Sequence, residues 1–133
     1  MKKKTVSTYQ SLKKKLDAVF SIFIRLRDSE KGIVTCPLCW KRIPRKQAQN
    51  MHFISRSVLK YRYDEDNCFA GCMRCNVILN GNYQVYTLRM INRYWKEFVE
   101  KRINDKSIFK VGVDRFKEKI EEYTQKVNAI TKK

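Results

Sequence analysis

Two Cys-x-x-Cys pairs constrain this chain more than any other feature of its sequence. Cys36 and Cys39 stand in TCPLCW, and Cys72 and Cys75 stand in GCMRCN about thirty residues later. Four thiolates in two such turns match the ligand number and spacing of a tetrahedral structural zinc site. Disulfides are the alternative, but five cysteines is an odd number and no apolar secretory segment precedes them. The pattern therefore predicts zinc and a reducing, cytoplasmic compartment.

The two remaining features of the cysteine region are Cys68 and Trp40. Cys68 is either a buried free thiol or a substitute ligand, and the tight pairing of Cys72 with Cys75 favours the free thiol. Trp40 directly follows the second thiolate and is expected to cover the metal site.

Charge identifies the kind of partner. The chain has 133 residues, with 30 Lys+Arg against 13 Asp+Glu and a net charge of +17. This length predicts one domain, residues 1–133. The charge predicts a polyanionic partner, most commonly nucleic acid. A membrane is not expected, because no segment approaches the ~20 apolar residues needed to span one.

The apolar periodicity predicts an α+β protein in three parts. Residues 5–31 have helical spacing, with Gly32 as a natural stop. Residues 33–82 hold the cysteines, with an exposed loop at KRIPRKQAQN and short strands from there to Asn67. Residues 83–130 form a tail of two helices, at about 83–102 and 113–130.

The chemistry of the chain centres on its single histidine. His52 is followed by Asn67, Asn76 and Asn80. A neutral imidazole can take a proton from an attacking water, and oxygen ligands can hold a hard cation such as Mg²⁺ against a phosphate. Arg56 is the local candidate for steadying phosphate oxygens. This order of residues is therefore compatible with a one-metal nuclease.

Each of these residues also has a structural interpretation. His52 could be a packed strand residue or a zinc ligand in a Cys₃His site. Asn76 and Asn80 could cap the second Cys-x-x-Cys turn and the helix after it. Arg56 could contact the DNA backbone without a catalytic role.

An ordered series of short motifs resembles the phage NinG/Rap family. The motifs are VFSIFIRLRD (19–28), CPLC, HFISR (52–56), RYDEDN (62–67) and CMRCNVILNGN (72–82) followed by Tyr86, and the resemblance covers residues 5–130. It implies a recombination-associated phage protein in the host cytoplasm, with a zinc-bound HNH-like, or ββα-metal, core. It also implies a structure-selective endonuclease for branched DNA such as Holliday junctions and D-loops.

The resemblance assigns roles to individual residues. His52 would be the general base, and Asn67 would support the loop that aims it. Asn76 and Asn80 would lie on one helical face as ligands of Mg²⁺ or Mn²⁺. Arg56, proposed above as the local candidate for phosphate oxygens, completes the catalytic set without help from the resemblance.

The chain also departs from the family pattern. Met51 stands where HNH enzymes place an acidic residue or a second histidine, Gln49 replaces an upstream acidic residue, and Phe69 replaces a histidine. Asp64, Glu65 or Asp66 could supply the missing carboxylate.

Three functions are compatible with the sequence. The first is a metal-dependent endonuclease, the second a non-catalytic zinc-bound DNA-binding protein, and the third an assembly factor that uses the amphipathic first helix. Recognition is expected through DNA shape and backbone charge. A homodimer is a further hypothesis, since a four-way junction has two symmetric scissile sites. The predicted DNA-contact residues are Arg25, Arg27, Lys41, Arg42, Arg45, Lys46, Lys60, Arg62 and Arg74.

Overall fold

The computed structural model describes residues 8–132. Its helices are α1 (Thr8–Arg27), α2 (Leu59–Arg62), α3 (Tyr83–Arg93), α4 (Lys96–Ile103) and α5 (Val113–Thr131). Its strands are β1 (Ser29–Glu30), β2 (Ile33–Thr35), β3 (Arg42–Pro44), β4 (Gln49–His52) and β5 (Cys68–Gly71). This mixture of helices and small sheets confirms the α+β class. None of the described helices is both long and apolar enough to cross a membrane.

The described residues divide into two compact units, one of residues 24–109 and one that combines residues 8–23 with residues 110–132. In the second of these, aromatic side chains of α1 and α5 form the core. Phe20 lies edge-on to Tyr123 with ring centroids 4.9 Å apart, and Tyr9 lies edge-on to Phe116 at the same separation. Phe20, Phe116 and Tyr123 are almost completely buried.

Two small antiparallel sheets organise residues 24–109. One has the order β1-β2-β3, and the other pairs β4 with β5. In the second sheet His52 lies opposite Cys68, Met51 opposite Phe69, and Gln49 opposite Gly71. The Tyr86 hydroxyl, buried on α3, donates to the Met51 carbonyl at 2.9 Å. Helix α3 is thereby fastened to the strand that carries the histidine.

Helix α1 ends four residues before the end predicted from periodicity. Its last residue is Arg27, and the next three residues begin the first hairpin. Lys31 and Gly32 both have positive φ, 52° and 79°, and connect β1 to β2. Because two left-handed residues make the tight turn that suits a β-hairpin, Gly32 belongs to a hairpin turn and not to a helix end.

Three other segments differ from the expectation. KRIPRKQAQN is not wholly an exposed loop, because it contains β3 and the start of β4, with Ile43 and Ala48 buried. Residues 59–62 are a helical turn and not a strand. The stretch 83–102 is two helices, since Trp95 is extended (φ −178°, ψ 167°) between α3 and α4.

Candidate zinc centre and histidine site

The four paired cysteines converge on one point. Their Sγ atoms all lie within 4.8 Å of one another, and the Sγ atoms of Cys39 and Cys72 are 3.6 Å apart. Tetrahedral Zn–S bonds of ~2.3 Å would separate the sulfurs by roughly 3.8 Å. The chemistry and spacing of this donor set fit a structural Cys₄ zinc site.

Two backbone turns present the thiols, and we call them the first knuckle (36–39) and the second knuckle (72–75). In the first, Trp40 N donates to Cys36 O and Cys36 N donates to Lys41 O, both at 2.8 Å. In the second, Cys75 N donates to Cys72 Sγ at 3.4 Å. Such bonds close each turn and direct its sulfurs inward.

The electrostatics of the cluster favour ionisation at one thiol. Burial raises the pKa of Cys36 and of Cys75. Burial also opposes ionisation of Cys72, but hydrogen bonds from Cys75 N and from the neighbouring thiols outweigh it and lower the pKa of Cys72 to about 7. Cys72 is therefore the first thiolate available to an incoming cation.

Cys68 lies outside this cluster, as a free thiol. It is completely buried on β5, and its Sγ donates to Arg62 O at 3.7 Å. Burial raises the pKa of Cys68 far above its ordinary range, so the thiol stays neutral.

Gly71 must be glycine because it lies against the zinc centre. A methyl group there would overlap the buried Met51 thioether and lie 3.2 Å from Cys36 Sγ. We expect Gly71→Ala to lower the free energy of unfolding by about 1–3 kcal/mol through overpacking, measured by urea denaturation. Gly112→Ala is the matched control, since a methyl there meets nothing within 4 Å. Equal stability of the two variants would contradict the packing argument.

His52, at the end of β4, is oriented by a backbone carbonyl. Its Nε2 lies 3.0 Å from Arg62 O. A carbonyl only accepts, so Nε2 carries the proton of the neutral ring and the basic lone pair lies on Nδ1. His52 is half-buried and lies outside the cysteine cluster, so its geometry does not support a Cys₃His site.

Asn67 fixes the loop that carries this carbonyl. Its buried side chain accepts from Ile54 N at 2.8 Å and donates to Ile54 O and Tyr61 O, both at 3.0 Å. Asn67 O also accepts from Phe53 N. The two ends of the 53–62 segment are thus held by one residue. The supporting role that the resemblance gives Asn67 stays a prediction.

Replacing Asn67 should therefore destabilise the loop. We expect Asn67→Ala to lower the free energy of unfolding by about 2–4 kcal/mol, because it leaves three backbone groups without their partner. Urea denaturation beside Asn128→Ala, an exposed asparagine on α5, measures the difference. A loss no larger than that of the control would contradict the role assigned to Asn67.

The two arginines near His52 differ in exposure. Arg62 is 8% exposed, and its guanidinium donates to Arg56 O at 2.8 Å. It therefore supports the loop from inside and is poorly placed for the predicted contact with DNA. Arg56 is exposed on that loop, four residues after His52.

The predicted ligands of a catalytic cation have separate partners. Asp64 pairs with Arg102 at 3.1 Å, whereas the Asn76 amide donates to Gln49 Oε1 at 2.7 Å. Asn80 is exposed in a left-handed turn (φ 51°). Among residues 8–132, the cysteine cluster is the one group of three or more cysteine, histidine or carboxylate ligands. A cation site at Asp64, Asn76 and Asn80 therefore stays a prediction.

Two more of the predicted DNA-contact residues, Arg27 and Lys60, form hydrogen bonds or ion pairs within the protein. The Arg27 guanidinium donates to both Asp28 carboxylate oxygens and to the carbonyls of Glu65 and Cys68, which fastens the end of α1 to β5. Lys60 Nζ pairs with Asp105 at 2.6 Å. The other members of the set are the exposed Lys41, Arg42, Lys46 and Arg74 and the half-buried Arg25 and Arg45.

Trp40, which was expected to cover the metal site, lies beside an arginine of helix α3. Its side chain is 61% exposed, and the Arg89 guanidinium lies 4.8 Å from the indole centroid. The sequence analysis did not predict that Arg89 and Arg93 lie around the same cavity as Trp40. The available signal was their spacing of four residues on a helix, which places them on one face.

These features define a class of protein: a mixed α+β chain with two Cys-x-x-Cys knuckles and a carbonyl-oriented histidine. The chain matches the protein-family model described as Bacteriophage Lambda NinG protein over residues 1–133. It therefore belongs to the NinG family, which confirms the resemblance seen in its motifs. No curated protein and no solved structure matches it.

Proposed function

We propose that the protein is a structure-selective DNA endonuclease that acts on branched DNA, with His52 as general base. The observation that carries this proposal is the contact of His52 Nε2 with Arg62 O, in a loop fastened by the buried Asn67. An oriented neutral imidazole with its lone pair on Nδ1 is what proton abstraction from water requires. Membership of the NinG family and the net charge of +17 support DNA as the substrate.

In the proposed step, water attacks a backbone phosphorus. The water oxygen bonds to phosphorus while its proton passes to His52 Nδ1, and the bond from phosphorus to the leaving sugar oxygen breaks. The leaving oxygen takes a proton from solvent. Arg56 contacts a non-bridging oxygen, where its charge stabilises the transition state.

The exposed lysines and arginines provide the binding surface. Lys41, Arg42 and Lys46 follow the first knuckle, and Arg74 lies in the second. Contacts from such residues to phosphates position DNA without reading its sequence. Recognition of branched DNA then depends on shape, and a homodimer acting at two symmetric sites remains part of the proposal.

The second candidate is a zinc-bound DNA-binding protein without catalysis. The observation that favours it is Met51, which is completely buried at the position where HNH enzymes hold a metal ligand. We therefore assign no step to Mg²⁺ or Mn²⁺ and treat both ions as experimental variables.

The deciding experiment uses a labelled four-way junction beside a linear duplex of the same sequence. The zinc-loaded protein is incubated with each DNA in Mg²⁺, in Mn²⁺ and without added metal. Preferential cutting of the junction is expected under at least one of these conditions. Salt-sensitive binding of the junction without cutting under any of them would favour the second candidate.

A further inference from the structure

A concave site lies between the first knuckle and helix α3. Its cavity volume is about 200 Å³. Leu38, Phe69 and Met90 contribute apolar surface, Trp40 forms a wall, and Arg89 and Arg93 contribute positive charge. We call this the Trp40 pocket.

The conformation of Trp40 is costly. Its φ of 66° lies in the left-handed region, where a bulky side chain is strained and glycine is not. The closing hydrogen bond of the knuckle, from Trp40 N to Cys36 O, uses only backbone atoms. The knuckle could therefore be built with glycine here, and the indole is both strained and 61% exposed. Strain of this kind in an exposed side chain indicates a role in binding.

The charge of the pocket selects its ligand. The Arg89 guanidinium lies over the Trp40 ring and donates from Nε to Pro37 O at 3.0 Å. The Arg93 guanidinium lies 4.7 Å from the Phe69 ring centroid. None of the described residues that line the pocket is acidic. Flat aromatic and guanidinium surfaces beside positive charge suit a planar ring attached to a phosphate.

The size of the pocket limits the ligand further. Its volume of about 200 Å³ is below the ~300–1,000 Å³ of drug-sized sites, so it suits one ring system and not a larger ligand. In paired DNA every base is stacked inside the duplex, whereas a base that has lost its partner can leave the stack at modest cost.

We propose that the Trp40 pocket binds one unpaired nucleobase of DNA, which stacks on the indole or guanidinium plane while Arg89 and Arg93 contact the adjoining phosphates. This inference rests on the proposed function in taking DNA as the ligand. It adds a determinant of structure selectivity that is separate from His52, because unpaired bases distinguish branched DNA from continuous duplex.

The test compares the binding of two DNAs without cleavage. One is a duplex with a single unpaired nucleotide, and the other is the same duplex fully paired. Trp40→Gly should weaken binding of the first by roughly 5- to 150-fold, the range of one lost base–aromatic stack, and change binding of the second by less than about twofold. Fluorescence anisotropy of labelled DNA measures both.

Three variants make the test specific. Trp40→Gly suits the left-handed backbone, so it should fold and retain zinc, which circular dichroism and metal analysis verify. Trp95→Ala removes the other tryptophan, 56% exposed at the start of α4, and should bind both DNAs as wild type does. In a Trp95→Phe background Trp40 is the single tryptophan, and its fluorescence should be quenched by the unpaired base alone.

The outcomes separate this inference from the endonuclease proposal. The pocket proposal is overturned if Trp40→Gly prefers the duplex with an unpaired nucleotide as strongly as wild type does. It is also overturned if wild type binds both duplexes equally. The proposal of junction cleavage is unaffected by either result. If wild type binds neither DNA, the pocket proposal is overturned, and the four-way-junction assay decides the endonuclease proposal separately.

Discussion

Removing zinc is expected to unfold residues 24–109. The two knuckles supply all four thiols of the cluster, and the sheet of β4 and β5 ends beside it, with Gly71 of β5 close to Cys36 Sγ. Structural zinc contributes about 10–16 kcal/mol of apparent binding free energy in small zinc domains, which is comparable to the ~5–15 kcal/mol stability of a whole domain. Cys36→Ser, or a strong chelator, should therefore abolish cooperative unfolding of this unit.

Circular dichroism and metal analysis measure this effect together. Wild type should contain one zinc per chain, and Cys36→Ser should lose both the metal and most of the β-sheet signal. Cys68→Ser is the matched control, because Cys68 donates to a carbonyl outside the cluster and should leave zinc content unchanged. A metal-free protein with a native spectrum would show that the four thiols do not support the fold.

Replacing His52 is expected to remove junction cleavage. A positioned general base typically contributes 10²- to 10⁴-fold to rate, so His52→Ala should lose roughly that factor in single-turnover cleavage. Binding of the junction should persist, because the exposed lysines and arginines around the first knuckle are unchanged. The single-turnover cleavage rate and the dissociation constant for the junction are measured for wild type and for His52→Ala.

His52→Gln provides a sharper variant than alanine. Its amide can donate to Arg62 O in place of Nε2–H, so the loop keeps its contact, but an amide is not a base. Loss of cleavage with an unchanged urea midpoint would identify proton abstraction as the role of the ring. Wild-type cleavage by His52→Gln would show that His52 serves only to hold the loop.

The sequence was most informative where chemistry depends on short spacing. Cys36 with Cys39, and Cys72 with Cys75, predict convergence because each pair can form one metal-binding turn by itself. The NinG/Rap motifs likewise singled out Asn67, which the structure buries in the loop beside His52. Such predictions need residue type and order alone.

The sequence was less informative where contacts outside the local pattern decide a residue's surroundings. From the sequence, Asp64 is a possible metal ligand. In the structure it pairs with Arg102 of α4, and no local pattern reveals a partner 38 residues away. Arg62, predicted to contact DNA, is 8% exposed, and its guanidinium donates to Arg56 O on the same loop. Trp40 combines a positive φ with a largely exposed side chain, and hydropathy encodes neither property.

The zinc centre also has a consequence for synthesis of the chain. Cys39 and Cys72 are 33 residues apart, so at ~5–20 residues per second the ribosome makes the first knuckle roughly 2–7 s before the second. During that interval the metal has two of its four thiols, and β4 lacks its partner strand. A polypeptide released before Cys68 lacks both the second knuckle and β5, and it leaves Met51 of β4, completely buried in the folded chain, open to chaperones and proteases.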